Sequence, residues 1–551
     1  MKSTAGRLVV RALEDEGARL LFGIPSRPLL GLHEALEGSK VREVQAADER
    51  SAVFMADGAC RASDCAGVAS LGPGGASHAL PGVAEARADN IPLVALCCGL
   101  RDDTERSFRT GELDQLAALS PAAKETLRPK GPEDVYAAVR RAFHIARAAP
   151  QGPVVVEISE TLHSVSLCEA ENPLWSVPFF ESPLASDPEL DEAAAILDAS
   201  RRPRLYIGAG CRGAAPLVLE LAETLGAPVV TTLQGKGVFP EDHPLWLWNC
   251  FGRSAPSFVR KVMDSGDCLL AMGCRFSETA TGGYDIAPPK DLIHADADPE
   301  TLARNFPARL SVACDAGAFL RPLLRRVKPR LGDVAVKEEI ASGRAELRAR
   351  LASEKGPRVH PAVFFSALQD AAGPDAAFAA EGGDTLFLAA EHLRLRSPRF
   401  LAPADFGAAG YAVPAAMGAS LASPGRGAVA LTTEGGLLST GVELLTAARS
   451  GAGVAACLLR DEGPAALDAE AFARAVSAEF FRLDEDGHAR EVLGAALERT
   501  AQGRPALVEV ALDSSRRSFF SKAAAATRLC SLPLSERLRL AARTLSKRPG
   551  S

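Results

Sequence analysis

The sequence predicts an α/β protein made of three doubly wound parallel-sheet domains. Three observations lead there. The chain has 551 residues, more than one hydrophobic core usually serves and enough for three. Short apolar runs alternate with longer stretches of helical periodicity, the rhythm of βα units. Two changes of texture divide the chain, a polar, proline-bearing stretch near 166–187 and a charged helical stretch from Lys337 to Glu354. No fixed-period repeat competes with this reading.

The first block, 1–165, holds the strand-like runs Val41 to Ala47, Leu93 to Cys97 and Pro153 to Glu157, with a helical segment from Arg50 to Arg61. The second, 188–330, repeats the rhythm with Arg204 to Gly210, Pro228 to Thr232, Cys268 to Met272 and Leu292 to Asp296. The third spans 359–512. A tail, 513–551, follows with nine Lys or Arg against two acids, and Leu534 to Leu545 suits a short amphipathic helix after Pro533. In open parallel sheets ligands bind beyond the carboxyl ends of the strands, so residues just after each strand are the candidates for function.

Composition narrows the classes. Hydrophobic content of 47% with 24% charged residues suits a folded globular protein, not a disordered one. A net charge of −7 argues against a general nucleic-acid binder, which needs clustered basic residues. The twelve cysteines show no paired spacing of zinc-finger type, which points to reduced thiols. No apolar stretch approaches membrane-spanning length and the N-terminus turns charged too soon for a signal core, so a cytoplasmic location is expected.

The run Asp48-Glu49-Arg-Ser-Ala-Val-Phe-Met-Ala-Asp-Gly58, followed by Leu71-Gly-Pro-Gly-Gly75, resembles the first domain of thiamine diphosphate (ThDP) enzymes of the acetolactate synthase and pyruvate oxidase type. In that family the matching glutamate hydrogen-bonds the aminopyrimidine ring and activates the cofactor, which makes Glu49 the expected catalytic residue. A carboxylate opening a helix also suits the helix dipole alone. The resemblance implies that Gly72 and Gly74 lie at the cofactor. Many members carry His before the glutamate; here it is Asp48.

Pro228 to Leu245, Gly273 to Glu278 and His294 to Pro299 resemble, in order and spacing, the central domain of acetolactate synthases. Relatives hold FAD there, or a nucleotide such as ADP, or nothing. Gly208-Ala-Gly210 after a strand permits close approach to a phosphate and equally suits a structural turn. Asp296, at a strand end, is placed to accept from a ribose hydroxyl.

The third block resembles the diphosphate-binding domain, with departures. Thr433-Glu434-Gly435 falls on the family's Gly-Asp-Gly, and Arg460-Asp461 on its Asn position, at the family separation of 27 residues. The resemblance implies Mg2+ held by Glu434, Asp461 and the Gly463 carbonyl, a set of oxygens of the kind magnesium takes. Arg460 is suited to pair with a phosphate. Ala380-Glu-Gly-Gly-Asp-Thr385 is similar to the version in 2-hydroxyacyl-CoA lyases and oxalyl-CoA decarboxylases, with Gly382 and Gly383 offering backbone donors. In Gly407-Ala-Ala-Gly410, Ala409 stands where relatives place a bulky residue that props the cofactor, with Gly410 beside it. After Gly463 the segment before Ala469 is shorter than the family's lid.

The resemblance implies three domains as in ThDP-dependent decarboxylases, and a ThDP- and Mg-dependent decarboxylase or carboligase acting on a 2-keto acid or an acyl-CoA substrate. It implies a homodimer or homotetramer, or a hetero-oligomer with a related subunit, because in the family the glutamate and the metal-binding domain meet across an interface. The altered motif keeps open a second expectation, a non-catalytic paralogue or partner subunit with a degenerate cofactor site.

Overall fold

The computed structural model describes residues 3–63, 65–104, 106–164, 166–167, 183–353, 356, 358–460, 466–533, 535–537 and 539. Three six-stranded sheets follow one another along the chain, and every strand pair within them is parallel. The first comprises β1 (Leu20–Gly23), β2 (Arg42–Gln45), β3 (Gly67–Leu71), β4 (Leu93–Gly99), β5 (Glu125–Leu127) and β6 (Pro153–Ser159), in the order β2-β1-β3-β4-β6-β5. The central strands β3 and β4 are buried along their whole length, as the unbroken apolar run Leu93 to Cys98 requires of a sheet covered on both faces.

The second sheet holds β7 (Pro203–Ile207), β8 (Val229–Thr231), β9 (Trp246–Asn249), β10 (Cys268–Met272), β11 (Asp291–Asp296) and β12 (Leu310–Ala313), ordered β9-β8-β7-β10-β11-β12. The third holds β13 (Ala377–Ala380), β14 (Phe400–Leu401), β15 (Ala428–Thr432), β16 (Ala455–Arg460), β17 (Glu479–Leu483) and β18 (Ala506–Ala511), ordered β14-β13-β15-β16-β18-β17. The outer two sheets share one strand order, reversing between their first and third strands, while the middle one has the dinucleotide-fold order. In the outer pair the switch points fall at β1/β3 and β13/β15.

The helices that position the site are α1 (Glu49–Ala62), α2 (Ala76–Ala88), α3 (Asp384–His392), α4 (Ala412–Ala422), α5 (Glu434–Thr440), α6 (Glu443–Ser450) and α7 (Phe519–Ser531). The first and third domains meet where α1 crosses α4 at backbone distance. A Cβ on Gly58 would lie 2.0 Å from the Ala415 carbonyl oxygen, and one on Gly418 would lie 1.9 Å from that of Met55. Only glycine allows this approach.

The central domain is fastened to the third by Lys236, fully buried, whose Nζ donates to Glu241 at 2.6 Å and to the carbonyls of Ala390 and Leu393. The Gln-Gly-Lys-Gly-Val-Phe-Pro-Glu run thus has a structural use in this chain. The charged stretch expected as a helix is one, Val334–Ser353. The helix expected over Leu534 to Leu545 lies mostly outside the described residues, as does most of the linker near 166–187.

Candidate functional site

Glu49 is the first residue of α1, set there by local chemistry. Asp48 caps the helix, its side chain accepting from the Ser51 N–H at 2.8 Å. Flanking contacts reach the third domain of the same chain: the Ala47 N–H donates to Glu443 at 2.9 Å, and Arg50 donates to the Ser439 carbonyl at 3.0 Å. The Glu49 side chain is 16% exposed, and its Oε2 lies 3.4 Å from Nδ1 of the exposed His78 on α2.

Beside it runs the Gly72–Gly75 turn. Gly74 has φ +79°, a conformation that favours glycine, and its N–H donates to Gln115 at 3.1 Å. A Cβ on Gly75 would stand 2.9 Å from Glu49 Oε1, so the missing side chain gives the carboxylate its place. Sequence reasoning picked Gly72 and Gly74; the glycine that touches Glu49 is Gly75.

At the second switch point Gly382 and Gly383 follow β13, and Gly383 has φ +83°. Ideal Cβ atoms built on Gly383 and Gly407 meet nothing within 4 Å, and one on Gly382 reaches only the Gly407 Cα at 4.0 Å. Over Gly435, second residue of α5, the nearest atom is Thr433 Oγ1 at 3.9 Å. These glycines line open space at the starts of α3 and α5, whose N–H groups suit an anion. Asp384 is engaged by α7, with Ser521 Oγ donating to it at 2.6 Å, so the basic tail begins alongside this cradle.

Glu381, buried beneath, accepts from the N–H groups of Gly410 at 2.5 Å and Ala412 at 3.4 Å. Burial pushes its carboxyl above the usual carboxylate range, against the pull of those backbone donors. It fixes the 407–411 segment that bears Ala409, whose short side chain is exposed.

The expected metal position looks different. Glu434 opens α5, and its carboxylate is paired with the Arg460 guanidinium at the end of β16. Arg460 also donates to Glu509 at 2.8 Å and to the Leu467 carbonyl at 2.5 Å. Asp461 and Gly463 lie outside the described residues. Among the described residues no group of three or more His, Cys, Asp or Glu is arranged to hold a metal. Of the three expected ligands the described residues hold one, the Glu434 carboxylate, and it is paired with Arg460.

Behind Ala409 lies a cluster that sequence reasoning missed. Arg61 donates to Asp57 at 2.7 Å and to Asp89 at 2.7 Å; Tyr411 donates to Asp57, and Gln234 of the central domain to Asp89. Glu85 accepts from the Ala408 N–H at 2.9 Å. Burial, with Asp89 nearby, raises the Glu85 carboxyl to about 9, and burial raises Asp89 to about 6 although Arg61 opposes it. The apolar spacing around Asp57, Glu85 and Asp89 gives no hint of this pairing, because its partners come from three domains.

A cleft of about 700 Å3 opens at the carboxyl ends of β7, β10 and β11, lined by Gly210, Arg212, Gln234, Gly273 and Asp296 of the central domain and, across from them, by Arg61 and Asp89 of the first. Gly208 and Gly210 are explained by packing, since a Cβ on Gly208 would lie 1.9 Å from the Gly273 carbonyl oxygen. Burial raises the Asp296 carboxyl to about 6.

Two outer domains of one strand order, one bearing a half-buried carboxylate beside a glycine turn and the other an open anion cradle, define a three-domain cofactor-binding α/β scaffold. Family models agree domain by domain: the thiamine pyrophosphate enzyme N-terminal TPP binding domain matches residues 3–118, the central domain 190–323, and the C-terminal TPP binding domain 381–466. The chain is 30% identical to the probable acetolactate synthase large subunit of Methanocaldococcus jannaschii, over 82% of this chain and 79% of that protein. It is 31% identical to the acetolactate synthase of Mycobacterium bovis, over 83% and 76%. With the acetolactate synthase large subunit of Corynebacterium glutamicum it shares 30% identity, over 82% and 74%. The chain belongs to the thiamine pyrophosphate enzyme family, in its acetolactate synthase-like branch. No helix among the described residues is long and apolar enough to cross a membrane.

Proposed function

We propose that this chain is a ThDP-dependent enzyme that decarboxylates a 2-keto acid, or cleaves a related C–C bond, and passes the fragment to an acceptor. The observation that supports it most is Glu49, held beyond the end of β2 against the turn after β3, whose Gly75 leaves room for the carboxylate. Glu49 would hold the aminopyrimidine, and the backbone N–H groups at Gly382, Gly383 and Gly435 would hold the diphosphate. When bound, ThDP supplies a thiazolium carbon that adds to a carbonyl and accepts the electron pair released on C–C cleavage. The protein's own contribution begins at Glu49, whose carboxyl takes or gives a proton across one hydrogen bond. Asp48 and Arg50 keep the head of α1 in register for that transfer.

The Glu-Gly version of the Ala380 to Thr385 segment keeps acyl-CoA substrates beside 2-keto acids in this reading. The central cleft falls in the size range of small-molecule sites, and a flavin or adenine nucleotide is the proposed occupant. Association into a dimer or larger assembly, with itself or a related subunit, belongs to the same proposal.

Calorimetry with ThDP, followed by exchange of its C2 proton in D2O, tests the function. The native protein should bind ThDP saturably and speed the exchange. Glu49→Gln should bind with little loss yet exchange on the order of 10²–10⁴-fold more slowly, the usual contribution of a positioned acid–base group. A second reading, a non-catalytic partner subunit, is favoured by the Glu434–Arg460 pair and the short Ala409; native protein that ignores ThDP would establish it.

A further inference from the structure

Helix α3 opens at Gly383, whose φ is +83°, and no side chain caps it. At nine residues it is too short to hold its own ends, so tertiary contacts set where its first turn lies. Those contacts come from α7. Ser521 Oγ donates to Asp384 at 2.6 Å, Phe520 stacks on Phe387 with ring centroids 5.6 Å apart, and the Phe519 N–H donates to Glu391 at 2.7 Å. Positions 384, 387 and 391 share one face of a helix, so three successive residues at the head of α7 grip α3 from its first turn to its last.

The head of α7 is itself anchored. Phe519 meets Trp248 of the central domain edge to face at 6.2 Å, and Thr527 packs on Gly283, where a Cβ would lie 2.5 Å from the threonine Oγ1. Ser518 caps α7, its Oγ accepting from the Ser521 N–H at 3.0 Å. The Ser521 hydroxyl hydrogen is committed to Asp384, so the Ser518 hydroxyl, 2.8 Å away, is the donor to Ser521 Oγ. Both serines are buried, and the pair fixes the direction of the bond to Asp384.

Asp384 needs such a restraint. It is the first residue of α3 and is exposed beside Gly383. The open N–H groups and the dipole at the head of a helix draw a carboxylate, and they are the same groups that suit a phosphate. Left free, the side chain would occupy them or repel the phosphate; bonded to Ser521, it is turned toward α7.

We propose that Ser521 is a positioning residue: it holds the Asp384 carboxylate on α7, away from the first N–H groups of α3, and so keeps the cradle open to a diphosphate. The inference rests on the ThDP reading above and assigns the start of the tail a part in that site.

Calorimetry on the full-length protein, with ThDP and separately with inorganic pyrophosphate, tests it. Ser521→Ala should bind both roughly three- to ten-fold more weakly, the size of a charge effect at a helix end. Adding Asp384→Asn, which removes the competing charge, should restore native affinity; loosened packing would not be repaired by a second change at the same contact. Asp384→Asn alone, at an exposed position that folding tolerates, should bind at least as tightly as native protein. The proposal is overturned, with the enzyme reading intact, by a Ser521→Ala protein that binds like native, by a loss that Asp384→Asn does not repair, or by an Asp384→Asn protein that binds more weakly than native. Native protein that takes pyrophosphate but not ThDP defeats the ThDP reading, and the pyrophosphate series still decides Ser521. Native protein that binds neither defeats both.

Discussion

Glu85 lies near two other buried carboxylates, Asp57 and Asp89, which Arg61 hydrogen-bonds; Arg61 makes no hydrogen bond to Glu85. Its carboxyl, ordinarily near 4.5, is raised to about 9 by burial and by Asp89. Between those values the unfolded chain has released a proton that the folded chain keeps, so stability falls as pH rises through that window and the loss is complete above it. Glu85→Gln removes the titrating group and can still accept from the Ala408 N–H. Relative to native protein the variant should gain on the order of 1–2 kcal/mol at about pH 9, and the gain should vanish near pH 5. Urea unfolding at several pH values checks this, and parallel curves for the two proteins would refute it. The place of Glu49 at the head of a helix was legible beforehand because its neighbours form a contiguous motif. Glu85, Asp57 and Asp89 were not, because their chemistry arises only when α1, α2 and the 408–411 segment converge.

At the level of elements, the crossing of α1 and α4 governs how the first and third domains meet. Gly58 and Gly418 face each other's helix at distances no Cβ tolerates, so Gly58→Ala or Gly418→Ala must push the helices apart. Overpacking of this kind costs roughly 1–3 kcal/mol, and more where backbone rather than a side chain must yield. Each variant should melt several degrees lower, and the displaced head of α1 should weaken ThDP binding as well. A melting temperature equal to native protein's would show that the helices can separate freely. The strands were readable from apolar runs: Cys268 to Met272 is β10 to the residue, and the Arg50 to Arg61 helix is α1 within one residue at each end. The crossing was not readable, since a glycine within a helical pattern announces neither its partner nor its distance. The metal motif was legible as a departure from family pattern, but Arg460 seizing Glu434 required the fold to bring β16 beside the start of α5.

For the whole molecule, the question is what covers the apolar side chains left in water by a single chain. Phe406, in the loop before Gly407, is 55% exposed; Leu438 on α5 is 61% exposed and Val442, at the turn into α6, 44%. All three lie on segments that border the glycine cradle or touch Arg50, next to Glu49. Single exposed apolar residues are ordinary, but a cluster at a candidate site favours a protein interface. A symmetric pairing would bury the same patch twice, which is the economy of a two-fold dimer. Sedimentation velocity should therefore show a dimer or larger assembly at micromolar concentration. Leu438→Glu combined with Val442→Glu should shift it toward monomer, because each buried carboxylate would lack a partner. These positions are exposed in the single chain, so the variant should keep its circular dichroism spectrum. ThDP affinity should fall along with dimer content if the cofactor is gripped between subunits, and should be indifferent to it if one chain suffices. A native protein that sediments as a monomer at every concentration would mean that the patch serves some other contact, and that Glu49 works with the cradle of its own chain.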